Sequence, residues 1–120
     1  MHNIKELKVW SKAIDLAIRI YEISAQFPSD ERFGLTSQVR RCAVSISSNI
    51  SEGAGRNTKG EFIQFLGIAN GSSYELQTQI VIAEKLGFID SNLSSEILKI
   101  IDELQKMNYK LQKSLMNSNH

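Results

Sequence analysis

The sequence predicts an all-α fold, an antiparallel up-down four-helix bundle made by a single domain over 1–120. Three observations carry this expectation. Apolar residues recur at three-and-four spacing through four long stretches, about 4–26, 31–53, 58–86 and 91–116. Punctuation between them is sparse: one proline, Pro28, and seven glycines that mostly cluster near 53–60 and 67–71. No stretch alternates apolar and polar residues as a half-buried strand does. Long helices joined by short turns pack as antiparallel neighbours.

The first helix carries two apolar rows. Trp10, Ala13, Ile14, Ala17, Tyr21 and Ser24 form one, and Leu16, Ile20, Ile23 and Phe27 lie beside it. Together they cover more than half the circumference, whereas one bundle face needs a stripe of roughly 100°. The surplus has two readings: a second burial partner such as another subunit, or a central position in the bundle. Pro28 disfavours helical geometry at Phe27 and cannot continue the ladder. Ser29 or Asp30 is placed to cap the next helix.

The second helix presents Leu35, Val39, Cys42, Ala43, Ile46 and Ile50 within an arc of about 100°. Gln38, Arg41, Ser45, Asn49 and Glu52 form a polar row beside it, and its small members permit close helix approach and hydrogen bonding. Gly53 or Gly55 is the expected left-handed cap at its end. Thr58 and Glu61 then read as a capping box ahead of an apolar run. In the third helix Phe62, Phe65, Leu66, Ala69, Ser73, Leu76, Ile80 and Ala83 make one stripe. Gly67 and Gly71 lie off it, and each costs roughly 1 kcal/mol relative to alanine. Either something else stabilises that stretch or a close neighbour requires the missing side chains. Gly87-Phe88-Ile89-Asp90 is the last turn. The fourth helix repeats Leu93, Ile97, Ile100, Leu104, Met107, Leu111 and Leu115 as a heptad seam. The tail 117–120 is expected to fray.

Composition narrows the function classes. At 120 residues, with 42% apolar and 22% charged, the chain can bury a core without metal or disulfide staples. Cys42 is the one cysteine, which excludes an intrachain disulfide and fits a reducing cytoplasm. With neither a signal peptide nor a run of roughly 20 apolar residues, the expectation is a cytoplasmic protein with no membrane partner. The net charge is +1, from 14 basic and 13 acidic residues, without the basic excess usual in nucleic-acid binders.

Chemistry-bearing patterns are few. His2 and His120 sit at the chain ends, so neither serves as a general base. Without a Cys/His cluster or a Glu-x-x-His motif, no metal is expected, and no cofactor or small-molecule substrate. Gly55 to Gly60 lacks the preceding strand and the spacing of a phosphate loop. Glu52 and Glu75 have two readings, an acid–base pair across helices or part of a polar layer fixing register. Gln38, Ser45, Asn49, Glu52 and Glu75 are accordingly read as a structural polar row or a subunit interface. Lys106, Lys110 and Lys113 share a face of the fourth helix, which fits a solvated lysine face or one that binds an acidic partner or RNA.

The run Phe27-Pro28, Glu31, Phe33-Gly34-Leu35, Gln38, Arg40-Arg41, Ser45-Ile46, Asn49-Ile50, Glu52-Gly53 and Gly55-Arg56 resembles the signature of the 23S rRNA-intervening-sequence protein family. Leu7, Val9-Trp10 and Ala13 upstream fit its first helix; Phe62, Phe65-Leu66, Ala69, Gly71-Ser72 and Glu75-Leu76 downstream fit its third. The resemblance runs from Lys5 to about Leu115. It implies a bacterial up-down four-helix bundle related to the accessory protein of diversity-generating retroelements, which assembles as a pentamer. It also implies a molecular function that is largely unassigned, with RNA or DNA binding as the usual conjecture. This chain departs from the basic retroelement relatives in being near neutral. Arg40, Arg41, Arg56 and Lys59 are the candidate nucleic-acid-binding residues, expected near one inter-helix turn; the competing reading pairs them with Glu52, Glu61 or a neighbouring subunit. The leading expectation is a non-enzymatic homo-oligomer, a pentamer by resemblance, that binds RNA or another nucleic acid. The alternative is a protein adaptor or scaffold.

Overall fold

In the computed structural model, which describes residues 3, 4 and 7–117, four α-helices run up and down: α1 (Lys8–Ser24), α2 (Leu35–Ala54), α3 (Lys59–Lys85) and α4 (Ser91–Met116). A short 3-10 turn, Ser29–Glu31, precedes α2. No strand occurs among the described residues. Lys5, His2, His120 and the tail beyond Asn117 lie outside them. No helix among them is long and apolar enough to cross a membrane. The molecule measures 49 × 23 × 20 Å. Its long dimension follows from helices of 26 and 27 residues, about 40 Å each at 1.5 Å per residue.

The α1–α2 connection is tighter than the periodicity implies. Gln26 and Phe27 donate to the carbonyls of Ile23 and Ser24, narrowing the end of α1 before Pro28. Neither Ser29 nor Asp30 caps α2. Glu31 does so instead, its Oε1 accepting from the Leu35 N–H at 3.0 Å. The capping box forms as expected: Thr58 Oγ1 accepts from the Glu61 N–H at 3.1 Å and donates to the Glu61 carboxylate at 3.0 Å. Asp90 caps α4 by accepting from the Leu93 N–H at 2.8 Å.

The glycines behave differently from expectation. Gly55 is right-handed, with φ −85°, and the one positive-φ glycine is Gly87, at 78°. At the end of α3 the Phe88 N–H reaches the Ala83 carbonyl and the Gly87 N–H the Glu84 carbonyl, a Schellman motif. Phe88 then packs on Phe27 across the end of the bundle, ring centroids 5.6 Å apart. Gly53 is not a turn residue. It is buried at the α2–α3 contact, where a Cβ would lie 2.7 Å from the Phe65 Cβ and 2.9 Å from Phe62 Cδ1. Gly67 and Gly71 face open space, so no neighbour within this chain requires them.

The apolar face read from α2 is buried in full, with Gly53 and Ala54 added. In α3 the expected stripe is buried apart from the half-buried Phe65. The α4 seam shifts: Ile101 and Asn108 occupy the centre, while Ile100, Met107 and Leu111 are half-buried beside it. A helix of 3.6 residues per turn drifts from a strict 3.5 repeat, which moves the buried row sideways. Asn108 is tolerated there because its Nδ2 donates to the Leu66 carbonyl at 3.0 Å and its Oδ1 accepts from Gln112 at 2.5 Å. In α1 the buried centre is Val9, Ala13, Leu16, Ile20 and Ile23; Trp10 and Ile14 are half-buried and Ile18 and Tyr21 exposed. Lys12–Glu103 and Arg19–Glu96 ion pairs tie α1 to α4 at the surface.

Candidate nucleic-acid interface

The flank of α2 that faces α1 holds Arg40. Its Nε donates to Ser24 Oγ at 2.8 Å and its Nη2 to the Tyr21 carbonyl at 3.2 Å. The guanidinium also lies 4.7 Å from the Tyr21 ring centroid. Arg40 thus places a positive charge on the last turn of α1, where unpaired carbonyls carry partial negative charge. Arg41, 100° further round the helix, is exposed and makes no ion pair among the described residues.

The opposite flank faces α3. Ser45 Oγ and Ser72 Oγ are 3.0 Å apart, and Asn49 Nδ2 donates to both the Ser45 carbonyl and Ser45 Oγ. Gln38, Arg41, Cys42, Ser45, Ser72 and Glu75 border an open groove of about 410 Å³. Glu52 is elsewhere, beside Arg56 at 3.9 Å. Cys42 and Glu75 border one groove, so ten residues of α2 separate Glu52 from Glu75, about 15 Å along the axis. The two carboxylates are not an acid–base pair in this geometry. Burial first, and the negative charge of Glu75 second, push the Cys42 thiol up to about 11. The groove therefore holds a protonated thiol and mutually bonded hydroxyls, with no base beside a nucleophile. No three His, Cys, Asp or Glu among the described residues gather to hold a metal ion.

The four basic candidates do not converge. Arg40 and Arg41 lie near the start of α2, and Arg56 and Lys59 flank the turn beyond its end, about 20 Å further along the axis. Arg56 stands between Glu52 at 3.9 Å and Glu61 at 3.8 Å, with its guanidinium 4.8 Å from the Phe65 ring centroid. Lys59 is half-buried in the first turn of α3.

A different basic cluster forms where α2 begins. Arg32 joins Arg40 and Arg41 around a second open groove of about 410 Å³, lined also by Tyr21, Phe33, Thr36 and Ser37. Phe33 is 88% exposed, and the Arg32 guanidinium sits 5.3 Å from its ring centroid. Sequence reasoning passed over Arg32 and took Phe33 only as part of a resemblance. The available signal was a cation next to an aromatic in the turn between helices.

The model of the 23S rRNA-intervening sequence protein family matches residues 5–110. The chain belongs to that family. Among solved structures it is similar to a protein with unknown function from the S23 ribosomal protein family of Bacteroides thetaiotaomicron VPI-5482. The match covers 88% of this chain and 95% of that one at 23% identity, with a TM-score of 0.82. At that identity the likeness speaks to the fold alone. A comparison with curated proteins found no match.

The thiol gives a pH prediction. The fold favours the neutral form, so between the ordinary value of 9.0 and about 11 the unfolded chain has already lost the proton that the native chain keeps. Native stability therefore falls as pH rises through that window. The carbon-13 shift of the Cys42 Cβ, followed against pH in the folded protein, should show a midpoint near 11; a midpoint near 9.0 would contradict the buried placement.

Proposed function

We propose that this member of the family is a non-enzymatic, homo-oligomeric bundle that binds RNA or another nucleic acid. The observation that carries the reading is the groove at the start of α2, where Arg32, Arg40 and Arg41 stand beside the exposed rings of Tyr21 and Phe33. Phosphates are bound through guanidinium groups with counterion release, and aromatic rings add sequence-tolerant stacking. Arg32 and Arg41 are the freer phosphate ligands, both exposed and without an ion pair among the described residues, whereas two Arg40 donors are bound to α1. Arg56 contributes less, because two carboxylates compete for it. A non-enzymatic role fits the absence of a base-and-nucleophile set among the described residues. The cytoplasm is the compartment that fits both the partner and the lone thiol.

The near-neutral charge of the whole chain limits the pull to this local patch. Two to three phosphate contacts on a single strand give a log–log salt slope of roughly −1.4 to −2, hence about a sevenfold to twentyfold loss of affinity between 50 and 200 mM salt. Filter binding of a structured RNA at these two salt concentrations tests it. Salt-sensitive binding at micromolar protein is expected, and no binding, or binding indifferent to salt, would overturn the proposal.

Homo-oligomerisation is supported by large apolar side chains left exposed on neighbouring flanks of α1 and α2. Ile18 is 56% exposed. Val44, one turn on from Arg40 on the same flank of α2, is 40% exposed. A second copy covering this strip would remove it from water. In a ring of five, the number the resemblance implies, the basic groove recurs around one rim and weak sites gain avidity. Light scattering at tens of micromolar should report a multiple of 13.5 kDa, shifted toward 13.5 kDa in Ile18→Lys. A wild-type mass of 13.5 kDa would refute the oligomer.

A further inference from the structure

We propose that the groove at the start of α2 takes an unpaired strand rather than a duplex, with one base stacked on Phe33 and its flanking phosphates held by Arg41 and Arg32. This rests on the nucleic-acid reading and adds the class of nucleic acid. Phe33 is the starting point. At 88% exposed it contributes almost nothing to the core, although phenylalanine is among the residues most often buried. A lone exposed apolar side chain is ordinary; what surrounds this one is not. Arg32 sits over its ring at 5.3 Å, which leaves the other face open. Across the same groove the Tyr21 ring, 45% exposed, is backed by Arg40 at 4.7 Å. Two rings, each with a guanidinium on one face, therefore wall one groove.

That alternation matches the chemistry of an unpaired strand. A base offers its flat face to a protein ring only when it is not stacked between neighbours, so a duplex presents Phe33 with base edges and phosphates alone. The volume, about 410 Å³, lies near the lower end of small-ligand pockets, which span about 300–1,000 Å³, and suits a nucleotide unit better than a helix. Charge alone is a weak source of affinity here. Asp30 and Glu31 occupy the preceding turn, and Glu31 already satisfies the Leu35 N–H. Two of the Arg40 donors are bound to α1. Stacking must then supply a large share of the binding, and stacking is what a duplex forfeits.

Fluorescence anisotropy on the full chain tests this, with a labelled single-stranded RNA, the matching single-stranded DNA and an RNA duplex of equal length. Both single strands are expected to bind about tenfold or more tightly than the duplex, given the typical worth of one stacked base. Phe33→Ala should weaken single-strand binding by roughly 5- to 100-fold without changing the salt slope, and Phe33→Trp should restore it. Arg41→Gln should instead lower affinity for strand and duplex alike and reduce the slope by about 0.7. Because Phe33 is so exposed, an unchanged melting temperature in Phe33→Ala checks that the fold is intact. Equal affinity for strand and duplex, or wild-type binding by Phe33→Ala, overturns the inference while leaving the nucleic-acid reading standing. No binding to any of the three probes sinks that reading itself. Full displacement of the strand by an equal concentration of polyglutamate would also overturn the inference, since it would mean that an acidic polypeptide satisfies the groove without stacking.

Discussion

The rest of the bundle depends on how closely α2 can approach α3 at Gly53. No side chain intervenes there: the α2 backbone lies directly against Phe62 and Phe65, where even a single Cβ would come within 2.7 Å of its neighbour. α2 and α3 form the most extensive helix pair in the molecule. Their closeness sets Ser45 against Ser72 and brings the Cys42 Sγ within 3.7 Å of the Ser72 carbonyl. Small side chains along α2 are therefore a consequence of the approach as much as a source of hydrogen bonds. Phe62, 1% exposed, fills the space beside the glycine and anchors the start of α3.

Once α2 is fixed to α3, its other flank determines where α1 lies. Arg40 binds both the Ser24 hydroxyl and the Tyr21 carbonyl, so it closes the end of α1 onto the middle of the fold. Several residues of the run that carries the family resemblance act in this way. Glu31 caps α2, Arg40 grips α1, Ser45 and Asn49 bond across and along the helix, and Arg56 stacks on Phe65 between two carboxylates. The residues available to a ligand are those the packing does not consume, chiefly Arg41, Arg32 and Phe33 at one end. A specific family signature can thus coexist with a function that the signature does not name.

Periodicity and capping chemistry made much of the fold legible. The α2 face, the capping box at Thr58 and the limits of α4 all depend on residues within a turn or two of each other. What remained hidden depends on register between helices. Gly53 reads as a turn glycine until Phe62 and Phe65 are known to lie opposite it. Asn108 looks like a solvent position until the Leu66 carbonyl is known to face it. Glu52 and Glu75 look like partners only while their heights along the bundle are undefined. The division of the basic residues is already legible in the sequence, because Arg41 and Arg56 are fifteen positions apart and most of that separation is helix, about 20 Å at 1.5 Å per residue. Phe33 was hidden for another reason: exposure of an aromatic side chain in a turn leaves no periodic trace.

The most direct test of the close approach is the sign of one substitution. In an ordinary helix interior, glycine to alanine stabilises by about 1 kcal/mol. At Gly53 the added Cβ must displace Phe65 and Phe62, and overpacking of this kind costs about 1–3 kcal/mol. Urea denaturation of Gly53→Ala should therefore show a lower midpoint than wild type. Gly55→Ala, where a Cβ meets only carbonyl oxygens at 3.6 Å, should show no such loss. A Gly53→Ala midpoint equal to or above wild type would contradict the account.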